Sequence, residues 1–344
     1  MASALIGGAP WNGVPPHSSF PNSLPVTLPA LIQYDHGIVA VDSGYYRPHL
    51  DAIHIIVERG RAAIVDTGTS HSVPGLLTAL ETLGVDRDAV DYILVTHIHL
   101  DHAGGAGQLA RALPRTPIVV HPRGVRHLVD PGKLVASTQA VYGKEEFRRL
   151  YGEVLPVPAE RLIEAPDGLR LSLAGRELVF LDTPGHARHH YCVYDARSQS
   201  VFTGDTFGIS YREFDGEGTE FIFPTSTPAQ FDPDAAHASI DRLAGLAPRH
   251  AFLTHYSRVS HVARHAHTLH RLLEEYRRLA ELARAAGPER HRVLTEGLRE
   301  LLLAEARASG SPLPEETAAR LLAMDIELNA QGIEVWMDTS TAKA

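Results

Sequence analysis

Cysteine is almost absent from this chain of 344 residues, because Cys192 is the only one. An intramolecular disulfide needs two cysteines, and zinc sites built from several cysteines are excluded for the same reason. Any metal ion must therefore be bound mainly by His, Asp or Glu side chains.

The chain also lacks an excess of positive charge and lacks long apolar runs. It has 32 Lys and Arg against 41 Asp and Glu, which gives a formal net charge of -9 and disfavours general binding to nucleic acid. No run of about 18 apolar residues occurs, and the N-terminus does not resemble a secretory leader. We therefore expect a cytoplasmic protein with neither a membrane nor a nucleic acid as its partner.

Patterning predicts three parts of the chain. Residues 1–30 are rich in Gly, Pro and Ser and are interpreted as an extended N-terminal arm. Residues 31–256 alternate short β-branched runs with helical patterns, which predicts an α+β domain of two sheets covered by helices. Residues 257–344 have only helical periodicity and predict a C-terminal α-helical extension, with Gly332 near its last helix end. The histidine-rich stretch 261–270 is expected on a solvated face, with metal binding by histidines four residues apart as the alternative.

Histidine is abundant, with 21 residues, and position decides which of them carry chemistry. The run His-x-His-x-Asp-His follows the predicted buried strand Tyr92–Val95. Alternate residues of an extended chain point the same way, so His97 and His99 can converge on a first cation. The chain then turns, and Asp101 and His102 project toward a neighbouring second cation.

Three further motifs stand at the exits of predicted strands. His186, on a Pro-Gly turn, can supply a third nitrogen to the first cation, and Asp205 can bridge the two cations. His255 completes the second cation's ligands with Asp101 and His102. The set predicts a dinuclear site for two divalent ions, Zn²⁺ first, with Fe²⁺ or Mn²⁺ also suited to these ligands.

Taken in order, these motifs resemble those of the metallo-β-lactamase-fold hydrolase superfamily. The resemblance rests on Asp66 in Val-Asp-Thr-Gly, the histidine run, His186, Asp205 and His255, and covers residues 31–256. It implies an αββα sandwich with the site along one edge of the two sheets.

Two residues are expected to support the metal ligands without binding a metal. Asp66 follows a strand and precedes Thr-Gly, a position suited to orienting the ligand loops. His190 resembles a position that relatives in the glyoxalase II branch fill with histidine, which implies a supporting role.

Loops at the strand exits surround the metals in this fold, so their aromatic and basic residues are candidate substrate contacts. The alternative is that these side chains simply pack on the C-terminal helices. The candidates are Tyr45, Tyr46, Phe207, Tyr211 and Arg212.

The predicted chemistry is hydrolysis by a hydroxide that bridges the two metals, because two cations about 3.5 to 4 Å apart lower the pKa of a shared water toward about 7. Asp101 is the candidate catalytic residue that orients this nucleophile and relays its proton. A bridging Asp205 resembles the glyoxalase II, lactonase and phosphodiesterase branches. With the helical extension, it favours a small ester, thioester or lactone as the small-molecule substrate.

Three alternatives stay open at this stage. One is a phosphodiesterase of the same fold. Another resembles the persulfide dioxygenases, with one iron at His97, His186 and Asp205. The third is a ligand sensor without catalysis. The C-terminal helices are further expected to wall the substrate pocket or to form a homodimer.

Overall fold

The computed structural model describes residues 29–226 and 230–341, so the predicted N-terminal arm, residues 1–30, lies almost entirely outside the described residues. Within the described part, two sheets pack face to face and helices cover their outer sides.

The first sheet has its strands in sequence order, antiparallel through β4 and parallel from β4 to β7. Its strands are β1 (Leu31–Tyr34), β2 (Ile38–Asp42), β3 (Ala52–Glu58), β4 (Arg61–Val65), β5 (Val90–Val95), β6 (Ile118–Val120) and β7 (Leu162–Glu164).

The second sheet has the order β13-β12-β11-β10-β9-β8, antiparallel except for the pair β11 and β12. Its strands are β8 (Arg170–Leu173), β9 (Arg176–Asp182), β10 (Tyr191–Asp195), β11 (Ser200–Gly204), β12 (His250–Leu253) and β13 (Ser257–Val259).

Helices separate the strands and form the whole C-terminal region that is described. They are α1 (Val73–Thr82), α2 (Leu100–Ala103), α3 (Ala106–Ala112), α4 (Val125–Val129), α5 (Gly132–Tyr142), α6 (Lys144–Tyr151), α7 (Pro233–Gly245), α8 (Val262–Ala285), α9 (Arg290–Ala308), α10 (Glu315–Leu321) and α11 (Ala323–Thr341).

Three apolar layers hold this arrangement together. Between the sheets, Ile56 and Leu94 of the first sheet pack with Phe180 and Phe202 of the second. On the outer side of the first sheet, α1 and α3 cover strands β2 to β6, and on the outer side of the second sheet α7 and α8 cover β9 to β12. The αββα sandwich with a C-terminal helical region is therefore confirmed.

Two sequence predictions about the helical region are wrong. Helix α11 continues through Gly332 to Thr341, because the buried face of the helix continues with Ile333 and Met337. His265 is not on a solvated face: it is buried on α8, and its Nε2 lies 2.7 Å from an Oε2 of Glu220.

The described helices contain no segment with the length and apolarity needed to cross a membrane.

The ends of the strands share one feature. Each chemical motif follows the end of a different strand, β4, β5, β9, β11 or β12, and the motif residues are Asp66, His97, His186, Asp205 and His255.

Candidate metal centre

Three histidine nitrogens converge where the chain leaves β5 and β9. His97 and His99 lie in the connection between β5 and α2, and His186 follows β9. The distance from His97 Nε2 to His99 Nδ1 is 2.9 Å, and His186 Nε2 lies 3.3 Å from the first and 3.1 Å from the second. A point about 2 Å from all three nitrogens exists, which is the length of a Zn–N bond.

A second group of ligand atoms adjoins the first. His102 Nε2 and His255 Nε2 lie 3.6 Å and 3.7 Å from Asp101 Oδ2. Asp205 stands between the groups: its Oδ2 lies 3.4 Å from His186 Nε2, while its Oδ1 lies 3.2 Å from His102 Nε2 and 3.5 Å from His255 Nε2. The structure thus brings together all seven side chains that were predicted as ligands.

The donor set fits a cation because two of its buried atoms have no hydrogen-bond partner. These atoms are His102 Nε2 and Asp205 Oδ1, which face each other in the second group. Leaving buried polar atoms unsatisfied is costly, and a divalent cation would satisfy both. Imidazole and carboxylate are also the donors that Zn²⁺, Fe²⁺ and Mn²⁺ accept.

The electrostatics of the two groups differ. Burial lowers the pKa of His99 to about 3 and that of His186 to about 4, and it holds the pKa of His97 well below its usual range, so these imidazoles are neutral donors. For His102, burial opposes protonation, but neighbouring carboxylates, Asp205 foremost, raise its pKa well above the usual value. The second group therefore has an excess of negative charge that a cation would neutralise.

Asp66 is held in contact with the loops that carry the ligands. Its Oδ2 accepts a hydrogen bond from His102 Nδ1 at 2.8 Å and another from Thr254 Oγ1 at 3.0 Å, while its Oδ1 accepts from the backbone N–H of Thr96 at 2.8 Å. A carboxylate on Nδ1 fixes the ring orientation and leaves Nε2 free to bind a metal. These contacts are those expected of a residue that orients ligands.

Asp51 lies beside His255 and was missed in the sequence. Asp51 is buried, and its Oδ1 lies 2.7 Å from His255 Nδ1, which is also 3.2 Å from the Leu50 carbonyl oxygen. Burial raises the pKa of Asp51 to about 6, against the opposing effect of the His255 imidazole. The signal was weak, because an aspartate just before strand β3 has no distinctive spacing from the other motifs.

Two further histidines follow the His186 turn. His190 Nε2 accepts a hydrogen bond from the backbone N–H of Asp205 at 3.2 Å, and its Nδ1 lies 3.0 Å from Thr183 Oγ1, so it positions the Asp205 loop. His189, which the sequence did not single out, stacks on His97 with ring centroids 6.3 Å apart. Its burial and neighbouring imidazoles lower its pKa to about 2.

A cavity of about 430 Å³ opens onto this centre. Its wall combines apolar residues with polar groups, and both α5 and α11 contribute residues to it. The apolar residues of the wall are Leu50, Ile98, Leu100, Leu134, Ile209, Met324 and Leu328, and the polar ones include Tyr45, Asp101, Lys133, Tyr142, Tyr151, His189, Tyr211 and Asp325.

The structure separates the predicted substrate contacts. Tyr45 and Tyr211 line the cavity, whereas Tyr46, Phe207 and Arg212 are not part of its wall. Phe207 is fully buried in the core beneath the second sheet, and Arg212 donates hydrogen bonds to the Ser210 and Arg258 carbonyls. These last three placements do not support contact with a substrate.

Fold and site together define a class of protein in which an αββα sandwich holds a His/Asp cluster that could bind metal ions. Residues 52–256 match the family described as the metallo-beta-lactamase superfamily. The match spans more than half of the chain, and the chain belongs to this superfamily.

Several proteins with different names are similar in sequence to this chain. The metallo-beta-lactamase fold-containing protein ST1585 of Sulfurisphaera tokodaii is 26% identical over 217 residues, 62% of this chain and 75% of that protein. An N-acyl homoserine lactonase of Bacillus thuringiensis is 29% identical over 49% of this chain and 55% of its own length. A hydroxyacylglutathione hydrolase of Klebsiella pneumoniae is 33% identical over 46% and 47%. The alignments thus span about half of the lactonase and of the glutathione hydrolase.

The solved structure of the archaeal protein ST1585 superposes with a TM-score of 0.59 at 22% identity. The superposition covers 87% of this chain and 98% of the ST1585 chain. This likeness establishes that the two proteins share the fold.

Proposed function

We propose that this protein is a dinuclear metal-dependent hydrolase that acts on a small ester, thioester or lactone. The observation that carries the proposal is the placement of Asp205 between two adjoining ligand groups at the base of an apolar cavity. Superfamily membership, with an N-acyl homoserine lactonase and a hydroxyacylglutathione hydrolase among the similar proteins, supports hydrolysis as the reaction class.

The distances divide the residues that would hold the ions into two ligand sets. One ion would have His97, His99 and His186 as ligands, and the other Asp101, His102 and His255, with Asp205 shared. When bound, two divalent ions supply Lewis acidity and lower the pKa of water from about 15.7 toward about 7.

Asp101 is the residue best placed to handle the proton of the attacking water. Its side chain is 22% exposed and forms part of the cavity wall, so it meets both the ligand group and the substrate space. The water oxygen forms a bond to the carbonyl carbon, the bond to the alcohol or thiol breaks, and Asp101 passes the proton on to that leaving group.

Phenol groups of the cavity wall would position the substrate. The hydroxyls of Tyr45 and Tyr151 lie 2.9 Å apart, and both residues are buried at the cavity. Burial raises the pKa of both phenols well above the usual value, so both stay protonated. One hydroxyl hydrogen joins the two phenols, and the other would be donated to a substrate oxygen. The apolar wall residues would hold the acyl portion.

The test combines metal analysis with a substrate panel. Purified protein is assayed anaerobically with chromogenic esters, thioesters, lactones and phosphodiesters, before and after chelation and after return of zinc. We expect two metal ions per chain and zinc-restored hydrolysis of the first three classes. Asp101→Asn should lower kcat about 100-fold or more, whereas Glu81→Gln, at an exposed position outside the cavity, should not.

Three outcomes would contradict the proposal. One iron per chain with oxygen consumption would indicate a dioxygenase. Turnover confined to phosphodiesters would indicate the phosphodiesterase branch. Ligand binding without any turnover in the metal-loaded protein would indicate a sensor.

A further inference from the structure

A buried carboxylate faces the cavity from the C-terminal helical region, remote in sequence from every metal motif. Asp325 lies in the first turn of α11, is 5% exposed and forms part of the cavity wall. The other carboxylates among the described wall residues are Asp101 and Asp205, which belong to the metal centre. Asp325 is therefore a cavity anion without a role in the proposed chemistry.

No cationic side chain of the described residues contacts Asp325 directly. Its two oxygens lie 3.1 Å and 3.2 Å from the Tyr211 hydroxyl, which donates its single hydrogen to them. The nearby guanidinium of Arg47 is paired with Glu213 at 2.5 Å and stacks on the Tyr211 ring at 4.5 Å. Among the described residues, no Lys, Arg or His nitrogen lies within 4 Å of the Asp325 carboxylate.

The Asp325 carboxylate can accept further hydrogen bonds. A carboxylate offers about four acceptor sites, and one phenol hydrogen occupies a fraction of them. Burying an anion without a cation is costly, and the cost is recovered when a cationic donor binds there. Lys133 is the lysine among the described wall residues, and it is exposed on α5, where water screens its charge, so it offsets little of the charge of the buried carboxylate.

We propose that Asp325 is a specificity-determining residue that binds a protonated amine of the substrate, so that the enzyme prefers esters or lactones bearing a cationic group. This inference rests on the proposed function and narrows its substrate class. It disfavours anionic thioesters, because a second negative charge beside the buried carboxylate is repelled.

The substrate test uses esters that differ in charge at nearly constant shape. In one series, hexanoic acid is esterified with 2-(dimethylammonio)ethyl, 3-methylbutyl or 2-carboxyethyl alcohols. In the other, the acyl group of a methyl ester is 4-(dimethylammonio)butanoyl, 5-methylhexanoyl or 4-carboxybutanoyl. With the zinc-loaded full chain at pH 8, we expect kcat/KM for the ammonium ester to exceed that of the neutral ester about 10-fold or more in at least one series.

Substitutions test whether the Asp325 carboxylate causes the preference for the ammonium ester. Asp325→Asn keeps the shape and should remove the preference for the ammonium ester while changing kcat/KM for the neutral ester less than about 2-fold. Tyr211→Phe keeps the carboxylate and should retain the preference. Asp338→Asn, on the exposed side of the same helix, is the matched control and should behave as the wild type. Metal content and melting temperature are measured for each variant.

A purely structural role of Asp325 gives a different result. If the carboxylate only anchors α11 through Tyr211, then Asp325→Asn and Tyr211→Phe lower turnover of all three esters in parallel, and the inference is overturned. Equal kcat/KM values for the three charges in the wild type would also overturn it.

Binding without turnover separates this inference from the proposed function. Calorimetric titration with 3-methylbutylamine should show binding to the wild type and a loss of about 10-fold or more in affinity for Asp325→Asn, whether or not any ester is hydrolysed. Failure of all hydrolysis with this binding intact would refute the proposed function alone. Equal amine affinity in both proteins would refute the role of Asp325.

Discussion

At the scale of single residues, the centre depends on side chains that hold its ligands in place. Asp66 contacts His102 and Asp51 contacts His255, each through Nδ1, so both rings present Nε2 to the second ligand group. Asp66 comes directly after β4 and Asp51 directly before β3, and these are neighbouring strands of the first sheet. The ligand geometry is therefore set by the first sheet as much as by the ligand loops.

Replacing the carboxylate beside His255 should weaken one ion more than the other. Asp51→Asn removes the negative charge at Nδ1, and we expect metal affinity of the second ligand group to fall about 10- to 100-fold, while the group of three histidines retains its ion. Chelator competition with two resolved metal equivalents measures the effect. Asp86→Asn, at an exposed position, is the control, and parallel loss of both ions would contradict the expectation.

The buried Asp325 should also lower the stability of the fold as pH rises. Burial raises its pKa to about 6, so the folded state holds the proton over a range in which the unfolded state, with a pKa of about 3.9, has lost it. The free energy of unfolding therefore falls between about pH 4 and pH 6, by up to about 3 kcal/mol. Because Asn does not ionise, the melting temperature of Asp325→Asn relative to wild type should rise from pH 5 to pH 7.5 in metal-free buffer. A difference that is independent of pH would contradict this.

At the scale of elements, the turns after the strands aim the ligands. Gly185 precedes His186 and has a φ of +136°, and a Cβ at this position would lie 2.5 Å from the backbone of Ala236 on α7. The turn after β9 is thus packed directly on a helix, which leaves room for glycine alone.

A methyl group in this turn should displace His186. For Gly185→Ala we expect a loss of about 1–3 kcal/mol of stability and weaker metal binding by the three-histidine group. Thermal unfolding and metal titration measure the two effects. Gly245→Ala, at the end of α7 where a Cβ meets open space, should leave both unchanged or slightly improved.

The helices also decide the substrate side of the cavity. On α11 the buried positions Ile326, Ala330 and Ile333 follow helical spacing, and the polar residues Asp325 and Asn329 share that buried face. Asn329 is satisfied by the backbone N–H of Ser226 at 2.6 Å, whereas Asp325 faces the cavity. Two polar residues one helical turn apart on an apolar face were a signal in the sequence that could have identified this wall.

At the scale of the whole molecule, the C-terminal helices share a core with the sandwich. Leu50 and Phe223 pack in one cluster with Leu272 of α8, Leu298 of α9 and Ile333 of α11. The predicted division at residues 256 and 257 stays a prediction, as does a homodimer through these helices. The shared cluster indicates that the two parts unfold together.

Shortening a core side chain in the helical region should therefore also lower the temperature at which the metal is lost. Leu272 is fully buried, and Leu272→Ala should cost about 2–5 kcal/mol of stability. We expect one cooperative transition in which helical circular dichroism, tyrosine fluorescence and bound metal are lost at the same lowered temperature. Leu282→Ala, on α8 but 48% exposed, is the control. Two separate transitions would show that the parts are independent.

The sequence by itself determined two sheets covered by helices and the seven candidate ligands, because the ligand motifs are local: each follows a strand end, and β-branched runs mark the strands. The αββα sandwich was implied by the resemblance of those motifs to a known superfamily. Residues such as Asp51, His189 and Asp325 have no such local pattern, since their importance arises from what lies opposite them in space. Only the tertiary structure decided the cavity wall, to which α5 and α11, separated by nearly 200 positions, both contribute residues. Long-range packing of this kind depends on the shapes of whole elements, and no spacing along the chain encodes it.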